Sequence, residues 1–375
     1  GIAYRCSVAA INAAGSGPAS VPWFPVSPDV GGLAPVSPSV DVVRFRARAI
    51  GSHGSAVMLT LSNTGAASRS FTLATSTGEF SVGGCGLAAP VAGTTSPVIT
   101  LAGASSCAAE LRFTPATGGT RQGTLLVSVP GWLNARTVQL FGHGSPISAG
   151  FNFTLRLLES GQVTGFGANE YGQLGNGGTV DARFPVRAGT LAGIVAIAAG
   201  DRHAVALRDD GTVWTWGRND SGQLGYATAE ACRPGSTQAS ASLVGSEGAI
   251  ACSAEPRPVP GLDGVVAISA GLISTTVLRR DGSVWSWGGN RMGALGRSNA
   301  RVPHAVPGPV SGVGDGVVEL ASRGLHTLAR KRDGTLLAWG ATSLSEGIPD
   351  SVLGLPPIEA IAVGFAHNLA LAADG

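Results

Sequence analysis

The chain has 375 residues, of which 44% are hydrophobic and only 13% are charged, with a formal net charge of +2. This length exceeds one ordinary domain, so two or three domains are expected. The small net charge gives no electrostatic signature of nucleic-acid or anionic-membrane binding, and no apolar run approaches the 18 residues of a membrane span. With 57 glycines and 22 prolines, the composition favours an all-β, turn-rich protein.

The first 25 residues contain a short strand-like pattern. Apolar and polar residues alternate from Tyr4 to Asn12, and a turn-forming stretch follows from Ala13 to Ser20. This pattern resembles the last two strands of a fibronectin type III domain, which implies that the rest of that domain lies upstream of residue 1. The Pro- and Ser-rich residues 26–37 are predicted to be a linker.

Residues 38–145 are predicted to form an immunoglobulin-like β-sandwich, because short strand-like runs alternate with turn signals. The runs are residues 40–45, 56–61, 70–73, 108–113, 124–129 and 138–142. The segments Leu61–Gly65, Phe113–Pro115 and Leu140–Gly144 resemble those of hydin-type domains of bacterial surface proteins. That resemblance implies the same immunoglobulin-like fold.

The remaining residues, 148–375, contain an internal repeat. Its turn glycines are separated by 50, 71, 52 and 41 residues, in the range of propeller blades. The glycines are Gly161, Gly211, Gly282, Gly334 and Gly375. An Asp-Gly pair between two apolar runs predicts a type I′ hairpin turn. The runs 194–200, 203–207 and 213–216 predict three strands in the second unit, and related runs recur in the other units.

Several residues of this repeat recur in register. In the second unit they are Gly200, His203, Asp210-Gly211, Trp216-Gly217, Asn219 and Gly222-Gln223-Leu224-Gly225. This pattern resembles the repeat of the regulator of chromosome condensation family, whose fold is a seven-bladed β-propeller. The resemblance implies an incomplete propeller of about four and a half blades over residues 148–375, truncated at the C-terminus. We expect an open arc with apolar terminal faces, because an uncapped repeat exposes its apolar side.

Five cysteines are present, and none forms a C-x-x-C pair, so a zinc-site spacing is absent. Cys85 and Cys107 flank one loop of the predicted sandwich, and Cys232 and Cys252 flank an insertion in the second repeat. We predict that each pair forms a disulfide, which favours a secreted, periplasmic or cell-surface location. The alternative is buried free thiols, and Cys6 would pair upstream or stay buried in its strand.

Three histidines, His203, His326 and His367, each stand eight residues before a turn glycine. The same position holds Phe153 in the first unit and Ser274 in the third. A catalytic or metal-binding role would not tolerate phenylalanine, so we interpret these histidines as structural residues that hydrogen bond to backbone within each blade.

The repeat tryptophans are also interpreted as structural, because buried aromatic side chains contribute most through their area. They are Trp214, Trp216, Trp285, Trp287 and Trp339. Where light-sensing members of the resembled family carry tryptophan, this chain has Asp201, Leu272, Leu325 and Phe365, which disfavours photoreception. The acids before the turn glycines are turn formers, and the Gly-Gln-Leu-Gly loops lack the features of a phosphate cradle.

No catalytic motif is found, so the sequence predicts a non-enzymatic binding protein without a cofactor. We expect a secreted or cell-surface, bacterial scaffold that recognises a protein or glycan partner, with no nucleic-acid ligand. Because fold does not fix function, two alternatives remain. One is guanine-nucleotide exchange on a small GTPase, and the other is inhibition of a secreted hydrolase, both suggested by proteins with similar repeats.

The second repeat departs most from the others. Between Gly225 and Pro258 it has 32 residues, where the first repeat has nine between Gly175 and Pro185. Long loops without their own strands are usually functional or disordered. We therefore predict that this insertion forms part of the partner surface, with Tyr226 and Arg233 as contacts. The alternative is a tolerated surface insertion.

Overall fold

The structure is a computed structural model that describes residues 11–12, 15–16, 35–52, 54–116, 120–132, 135–144, 146–232, 249–297, 303–342 and 347–372. Apart from one turn of 3-10 helix at Arg291–Gly293, the regular structure in these residues is β-strand, which confirms the all-β class. No helix in the described residues has the length and hydropathy of a membrane span. The chain forms two compact units, residues 1–41, 56–111 and 124–139, and residues 42–55, 112–123 and 140–375.

Near the N-terminus, the structure describes one short hairpin. Strands β1 (Ile11–Asn12) and β2 (Gly15–Ser16) pair antiparallel, with Ile11 opposite Ser16. The remaining residues of the predicted fibronectin-like segment 1–25, among them Cys6, lie outside the described residues. Most of the predicted linker 26–37 lies outside them as well.

Residues 36–143 supply two five-stranded sheets, ordered β3-β5-β10-β7-β8 and β4-β12-β11-β6-β9. Their strands are β3 (Val36–Pro38), β4 (Val42–Arg44), β5 (Val57–Asn63), β6 (Arg69–Thr75), β7 (Phe80–Gly84), β8 (Val91–Ala92), β9 (Ile99–Leu101), β10 (Ser105–Phe113), β11 (Thr120–Ser128) and β12 (Arg136–His143). Alternate side chains of β5 and β6 are buried, such as Leu59, Leu61, Phe71 and Leu73. This period-two pattern is that of strands with one face in a core.

Two features of these sheets differ from the sequence-based expectation. Strand β3 begins within the predicted linker 26–37 and joins a different sheet from β4, which lies within the predicted strand 40–45. Strands β7, β8 and β9 were missed, since β7 ends in two glycines and the other two have only two and three residues. A disulfide joins Cys85 and Cys107, with an S–S distance of 2.11 Å, and connects the end of β7 to β10.

Residues 147–372 form five successive sheets, which we call the first to fifth repeat sheets. The first contains β13 (Ile147–Ala149), β14 (Phe153–Leu157), β15 (Val163–Gly167) and β16 (Ala182–Arg187). The second contains β17 (Ile194–Ala199), β18 (His203–Arg208), β19 (Val213–Arg218), β20 (Ala231–Cys232) and β21 (Ile250–Pro258). The third contains β22 (Val265–Ala270), β23 (Ser274–Arg279), β24 (Val284–Gly288) and β25 (His304–Pro309). The fourth contains β26 (Val317–Arg323), β27 (His326–Lys331), β28 (Leu336–Gly340) and β29 (Asp350–Ser351), and the fifth contains β30 (Ile358–Val363) and β31 (Asn368–Ala372).

The core of this array lies between successive repeat sheets. Trp216 of the second sheet packs with Leu155 of the first, and Trp287 of the third packs with Val205 of the second. Trp339 fills the same position between the third and fourth sheets. All three indoles are fully buried, as interpreted from the sequence. Each sheet therefore buries its faces against its neighbours, as in a repeat protein.

Segment 42–55 and Phe141 belong to the same compact unit as the repeat sheets. The Ala47 amide donates to the Val195 carbonyl at 2.7 Å, and Arg44 Nε donates to the Val265 carbonyl at 3.1 Å. Phe141 is buried in one hydrophobic cluster with Val266 of the third repeat sheet. These contacts join two separate parts of the sequence to the inner strands β17 and β22.

Candidate functional site

The spacing of glycine and histidine in Gly200–His203 and Gly364–His367 has a steric basis in this structure. A Cβ atom added to Gly200 would overlap the imidazole of His203, and one added to Gly364 would overlap that of His367. Only glycine leaves room for the ring at this position. The glycine and histidine are therefore one structural pair, repeated along the array.

The histidines join neighbouring sheets. His203 is fully buried, and its Nε2 lies 3.1 Å from Thr275 Oγ1 in the third sheet. His326 Nε2 lies 2.8 Å from Asn368 Oδ1 in the fifth sheet. The partners are in the next sheet rather than within the blade, which corrects the sequence-based interpretation. His367 is exposed, because no further sheet of the described chain covers it.

Burial sets the protonation state of His203. Its removal from water lowers the pKa of the imidazole to about 4, although a backbone hydrogen bond with Ser274 acts in the opposite direction. The ring is therefore neutral near pH 7. A neutral imidazole suits a structural contact with a hydroxyl group.

The tryptophans join the sheets in the opposite direction along the chain. Trp216 Nε1 donates to the Gln173 carbonyl of the preceding repeat at 2.9 Å, and Trp287 Nε1 donates to the Gln223 carbonyl at 2.9 Å. Thr275 Oγ1 donates to the same Gln223 carbonyl at 2.9 Å. The Gly-Gln-Leu-Gly loops therefore supply acceptors to the next sheet, and they are structural as predicted.

The turns of the repeat are hairpins with three-residue connections. At the second repeat, the Gly211 amide donates to the Arg208 carbonyl at 2.9 Å, and the Arg208 amide donates to the Thr212 carbonyl at 2.9 Å. Only the glycine has a positive φ, of 86°. The predicted type I′ turn is therefore wrong, because a type I turn followed by a left-handed glycine closes the hairpin. The same backbone pattern holds at Gly282 and Gly334.

The insertion of the second repeat has an ordered base. Strand β20 pairs with the start of β21, with Cys232 opposite Ile250, and a disulfide of 2.02 Å joins Cys232 to Cys252. Glu230 forms an ion pair with Arg257 across this base. The expectation of a loop without strands of its own is therefore wrong for the base, while residues 233–248 lie outside the described residues.

The disulfide packs on a tyrosine that the sequence analysis did not single out. Tyr171, in the loop after β15, is fully buried against Cys232 and Cys252. The Arg202 guanidinium lies 4.9 Å and that of Arg218 5.0 Å from the centroid of its ring. We call these five residues the disulfide cluster. The sequence carries one signal of this cluster. Tyr171 stands where the second and third repeats have Ser221 and Met292.

Polar partners fix the two arginines. Arg202 Nη1 donates to Glu170 Oε1 at 2.5 Å and to the Tyr171 hydroxyl at 2.8 Å. Arg218 binds Asp220 through two hydrogen bonds of 2.8 and 2.7 Å. Bidentate pairs of this kind hold a guanidinium in one orientation. The cluster therefore presents a defined charged surface beside the base of the insertion.

The two predicted contact residues differ in what the structure shows. Tyr226 is partly buried, and its hydroxyl donates to the Thr215 carbonyl at 2.8 Å. Burial raises the pKa of its phenol, although hydrogen bonds to Thr215 and Ser253 oppose this. Arg233 lies outside the described residues. The partner-binding role of both residues stays a prediction.

A cavity of about 420 Å³ lies at the ends of β17, β22 and β26, the first strands of the second, third and fourth repeat sheets. Its lining includes Phe151, Asp201, Leu272, Arg323 and Phe365, together with backbone glycines. Burial raises the pKa of the Asp201 carboxyl, while the charge of Arg202 opposes this. Across the described residues, no cluster of His, Cys, Asp or Glu with three or more members could hold a metal ion.

Comparison with known sequences assigns the repeat. A sequence profile described as "Regulator of chromosome condensation (RCC1) repeat" matches residues 160–207, 210–278 and 281–329, and a second profile of the same description matches residues 194–223 and 265–294. This segment carries regulator of chromosome condensation repeats. The chain is therefore a β-propeller repeat protein in this region, as the resemblance implied.

Two curated relatives share the repeats. The chain is 32% identical over 134 residues to the mouse (Mus musculus) regulator of chromosome condensation, covering 32% of each protein. It is 29% identical over 246 residues to the ultraviolet-B receptor UVR8 of Arabidopsis thaliana, covering 61% of this chain and 51% of the receptor. The matched regions thus span about a third to a half of these relatives.

A solved structure supports the fold. Human WBSCR16 aligns with a TM-score of 0.51 at 21% identity, covering 64% of this chain and 65% of that chain. At this identity the likeness concerns the fold alone.

Proposed function

We propose that this chain is a non-enzymatic binding protein whose repeat array presents the disulfide cluster and the adjoining insertion to a macromolecular partner. The observation that carries the proposal is the packing of the Cys232–Cys252 disulfide on the fully buried Tyr171. A base held in this way leaves less ordering to be completed when a partner binds. No corresponding disulfide is present in the other repeat sheets of the described chain.

The surroundings of the cluster suit a protein or glycan partner. Arg202 and Arg218 remain partly accessible, with side-chain exposures of 20% and 21%. Phe151 is half exposed and lies under the Arg202 guanidinium at 5.5 Å. Arginine and aromatic side chains together are enriched at the centre of protein interfaces.

We extend the proposal to the whole chain. The two disulfides favour an oxidising compartment, hence a secreted, periplasmic or surface-exposed bacterial protein. Residues 1–25 are proposed to end a fibronectin type III domain, and residues 38–145 to form a hydin-type immunoglobulin-like domain. Residues 148–375 are proposed to provide about four and a half blades of the seven-bladed type.

A matched pair of proteins tests the binding surface. Because β20 and β21 form an antiparallel ladder, residues 233–249 can be replaced by Asn-Gly, which forms a two-residue hairpin connection. This variant keeps the disulfide and the disulfide cluster. We expect unchanged thermal unfolding and loss of binding to a purified partner identified with the natural chain.

The two alternative functions are examined with the same proteins. Binding that survives the replacement at unchanged affinity would show that the insertion is only a tolerated surface loop. Acceleration of nucleotide release from a purified small GTPase would support exchange activity instead. Inhibition of a secreted hydrolase, scored on a panel of purified enzymes, would support the inhibitor alternative.

A further inference from the structure

A second cavity, of about 240 Å³, lies beside the connection between the first and second repeat sheets. Its lining combines apolar groups with a few polar ones, the usual composition of a small-molecule site. The lining residues are Gly189, Thr190, Leu191, Ala192, Arg208, Trp214, Glu255 and Pro256. None of them belongs to the disulfide cluster, so this cavity is separate from the surface proposed above.

Two hydrogen-bond donors of the cavity lining have no partner among the described residues. Arg208 Nε and Trp214 Nε1 are both buried there without an acceptor. A buried N–H without an acceptor costs free energy, and such groups are rare in folded proteins. Arg208 keeps only a long ion pair, from Nη1 to Asp210 Oδ2 at 3.5 Å.

The third repeat sheet shows how the same positions are satisfied internally. Arg279 corresponds to Arg208, and its Nε donates to the Asp263 carbonyl at 3.1 Å while Nη2 donates to Asp263 Oδ1 at 2.7 Å. Trp285 corresponds to Trp214, and its Nε1 donates to Ser283 Oγ at 3.2 Å. The Arg279 guanidinium also covers the Trp285 ring at 5.1 Å.

Two sequence differences lie beside the unpaired donors of the second sheet. Leu262-Asp263-Gly264 of the third repeat corresponds to Leu191-Ala192-Gly193 of the second, so Ala192 lacks the carboxylate of Asp263. Thr212 stands in place of Ser283, and its hydroxyl donates to Asp210 Oδ1 at 2.6 Å without receiving the indole. The cavity therefore occupies the place where the third repeat has its own acceptors.

The acceptors of the third repeat indicate which ligand chemistry fits. The counterpart of Arg208 Nε binds a carbonyl oxygen, and the counterpart of Trp214 Nε1 binds a hydroxyl oxygen. These two acceptors are uncharged, and the Asp263 carboxylate binds Arg279 Nη2 instead. Carboxylates already lie near the unpaired donors, since Glu255 lines the cavity and Asp210 Oδ2 lies 3.5 Å from Arg208 Nη1. A further anion would be opposed by these charges.

We propose that this cavity binds a single sugar ring. Sugar hydroxyls accept hydrogen bonds from Arg208 and Trp214 and donate to Glu255, because a hydroxyl can do both. The indole and Leu191 supply apolar contact for the ring. The volume lies below the ~300–1,000 Å³ of drug-sized pockets, which suits one hexose. The inference goes beyond the proposed function, because this cavity lies outside the disulfide cluster.

The test follows the Trp214 indole N–H by NMR in the full chain, with Trp214→Phe to assign its resonance. D-glucose, D-galactose, D-mannose and N-acetyl-D-glucosamine are titrated separately. We expect at least one hexose to shift this resonance saturably, with a Kd on the order of millimolar because so few atoms are in contact. The Trp285 indole serves as the internal control and is expected not to move.

Two double substitutions, which exchange residues between the second and third repeats, test whether the response is specific to this cavity. Ala192→Asp with Thr212→Ser installs the acceptors of the third repeat, and should weaken hexose binding roughly tenfold or more through competition for the same donors. Asp263→Ala with Ser283→Thr removes the Asp263 carboxylate and gives the third repeat the residues of the second, and should make the Trp285 indole respond to the same hexose. Thermal unfolding shows whether each variant is folded.

Other outcomes overturn the proposal. No shift with any of the four sugars would exclude a hexose site. Saturable shifts with acetate but not with sugars would indicate an anion site, and Glu255→Gln would then strengthen binding rather than weaken it. Saturable shifts with an uncharged blocked peptide alone would indicate a peptide site. Because Asn-Gly replacement of residues 233–249 leaves this cavity intact, failure here is distinguishable from failure of the proposed partner surface.

Discussion

At the scale of single residues, the repeat array depends on side chains that contact both neighbouring sheets. His203 contacts the following sheet through Thr275, and Trp216 contacts the preceding one through the Gln173 carbonyl. Neither hydrogen bond can be predicted from the sequence of one repeat, because its two partners belong to different repeats. Substitutions at these side chains therefore probe contacts between repeats rather than within them.

His203 should make stability depend on pH. Its pKa is about 4 in the folded chain and about 6.5 when unfolded, so the unfolded chain binds more protons between these values. The contribution of His203 to the free energy of unfolding is then fully present above about pH 6.5 and is lost as the pH falls toward 4, by about 3 kcal/mol in total. Urea unfolding of the natural chain and of His203→Gln at pH 7 and pH 5 measures this. The variant should lose less stability between the two pH values, and an equal loss would contradict the assignment.

Two glycines with similar backbone angles offer a matched comparison. Gly225 has a φ of 81°, and a Cβ there would lie 2.9 Å from Trp287 Nε1, whereas Gly261 has a φ of 66° and open space around it. Gly261→Ala should cost about 1 kcal/mol from backbone strain alone. Gly225→Ala should cost at least about 2 kcal/mol more, because the buried indole must move. Chemical unfolding measures both, and equal costs would show that Trp287 yields easily.

At the scale of elements, the sequence predicted the repeated strands well. Runs such as 194–200 and 203–207 were placed within one or two residues of β17 and β18, because their apolar residues are buried on both faces and their turns carry fixed glycines. Prediction was poorer where the signal is not local. Strand β3 was placed in the linker because Val36–Pro38 is short and ends in proline, and its pairing with β5 is what makes it a strand.

The candidate site shows the same division. The Cys232–Cys252 pair was predicted from its position around the insertion, and the structure contains the disulfide. Tyr171 and the two arginines on its ring come from two repeats, so no window of sequence brings them together. The unpaired donors of Arg208 and Trp214 become visible only beside their satisfied counterparts Arg279 and Trp285.

The insertion disulfide should stabilise its own base. Closing a loop of this length contributes about 3 kcal/mol in the chain-entropy description. Cys232→Ser with Cys252→Ser should therefore expose the insertion to limited proteolysis and lower the free energy of unfolding by up to that amount. Cys85→Ser with Cys107→Ser is the control, because its loop is of similar length but lies in the other sheets. Only the first variant should become sensitive at residues 226–257, and cleavage there in both would contradict the expectation.

At the scale of the whole molecule, the repeat array includes residues from before its first strand. Phe141 is buried in one hydrophobic cluster with Val266 and Trp339, so Phe141→Ala should lower the free energy of unfolding by roughly 3–5 kcal/mol. Thermal and chemical unfolding of the full chain measure this. Phe151→Ala, at a half-exposed aromatic, is the control and should cost much less.

An isolated fragment tests the contribution of the residues that precede the first repeat strand. Residues 148–375 alone lack segment 42–55 and Phe141, and Phe365 and Leu369 of the fifth repeat sheet expose 66% and 65% of their area. We expect this fragment to aggregate, which light scattering and gel filtration would detect. A monodisperse monomer of residues 148–375 that melts cooperatively would contradict both this expectation and the proposed contribution of Phe141.

The bonds between sheets give the array a direction. Indoles reach back toward the N-terminus, and imidazoles reach forward toward the C-terminus, so the donor and acceptor sets on the two faces of a sheet are different. A duplicated repeat inserted in the same orientation would meet the groups it needs on both sides, whereas a repeat inserted in the reverse orientation would place indole against indole. Growth of such a protein by tandem duplication is therefore chemically permitted, while reversal of a single repeat is discouraged by the same hydrogen bonds.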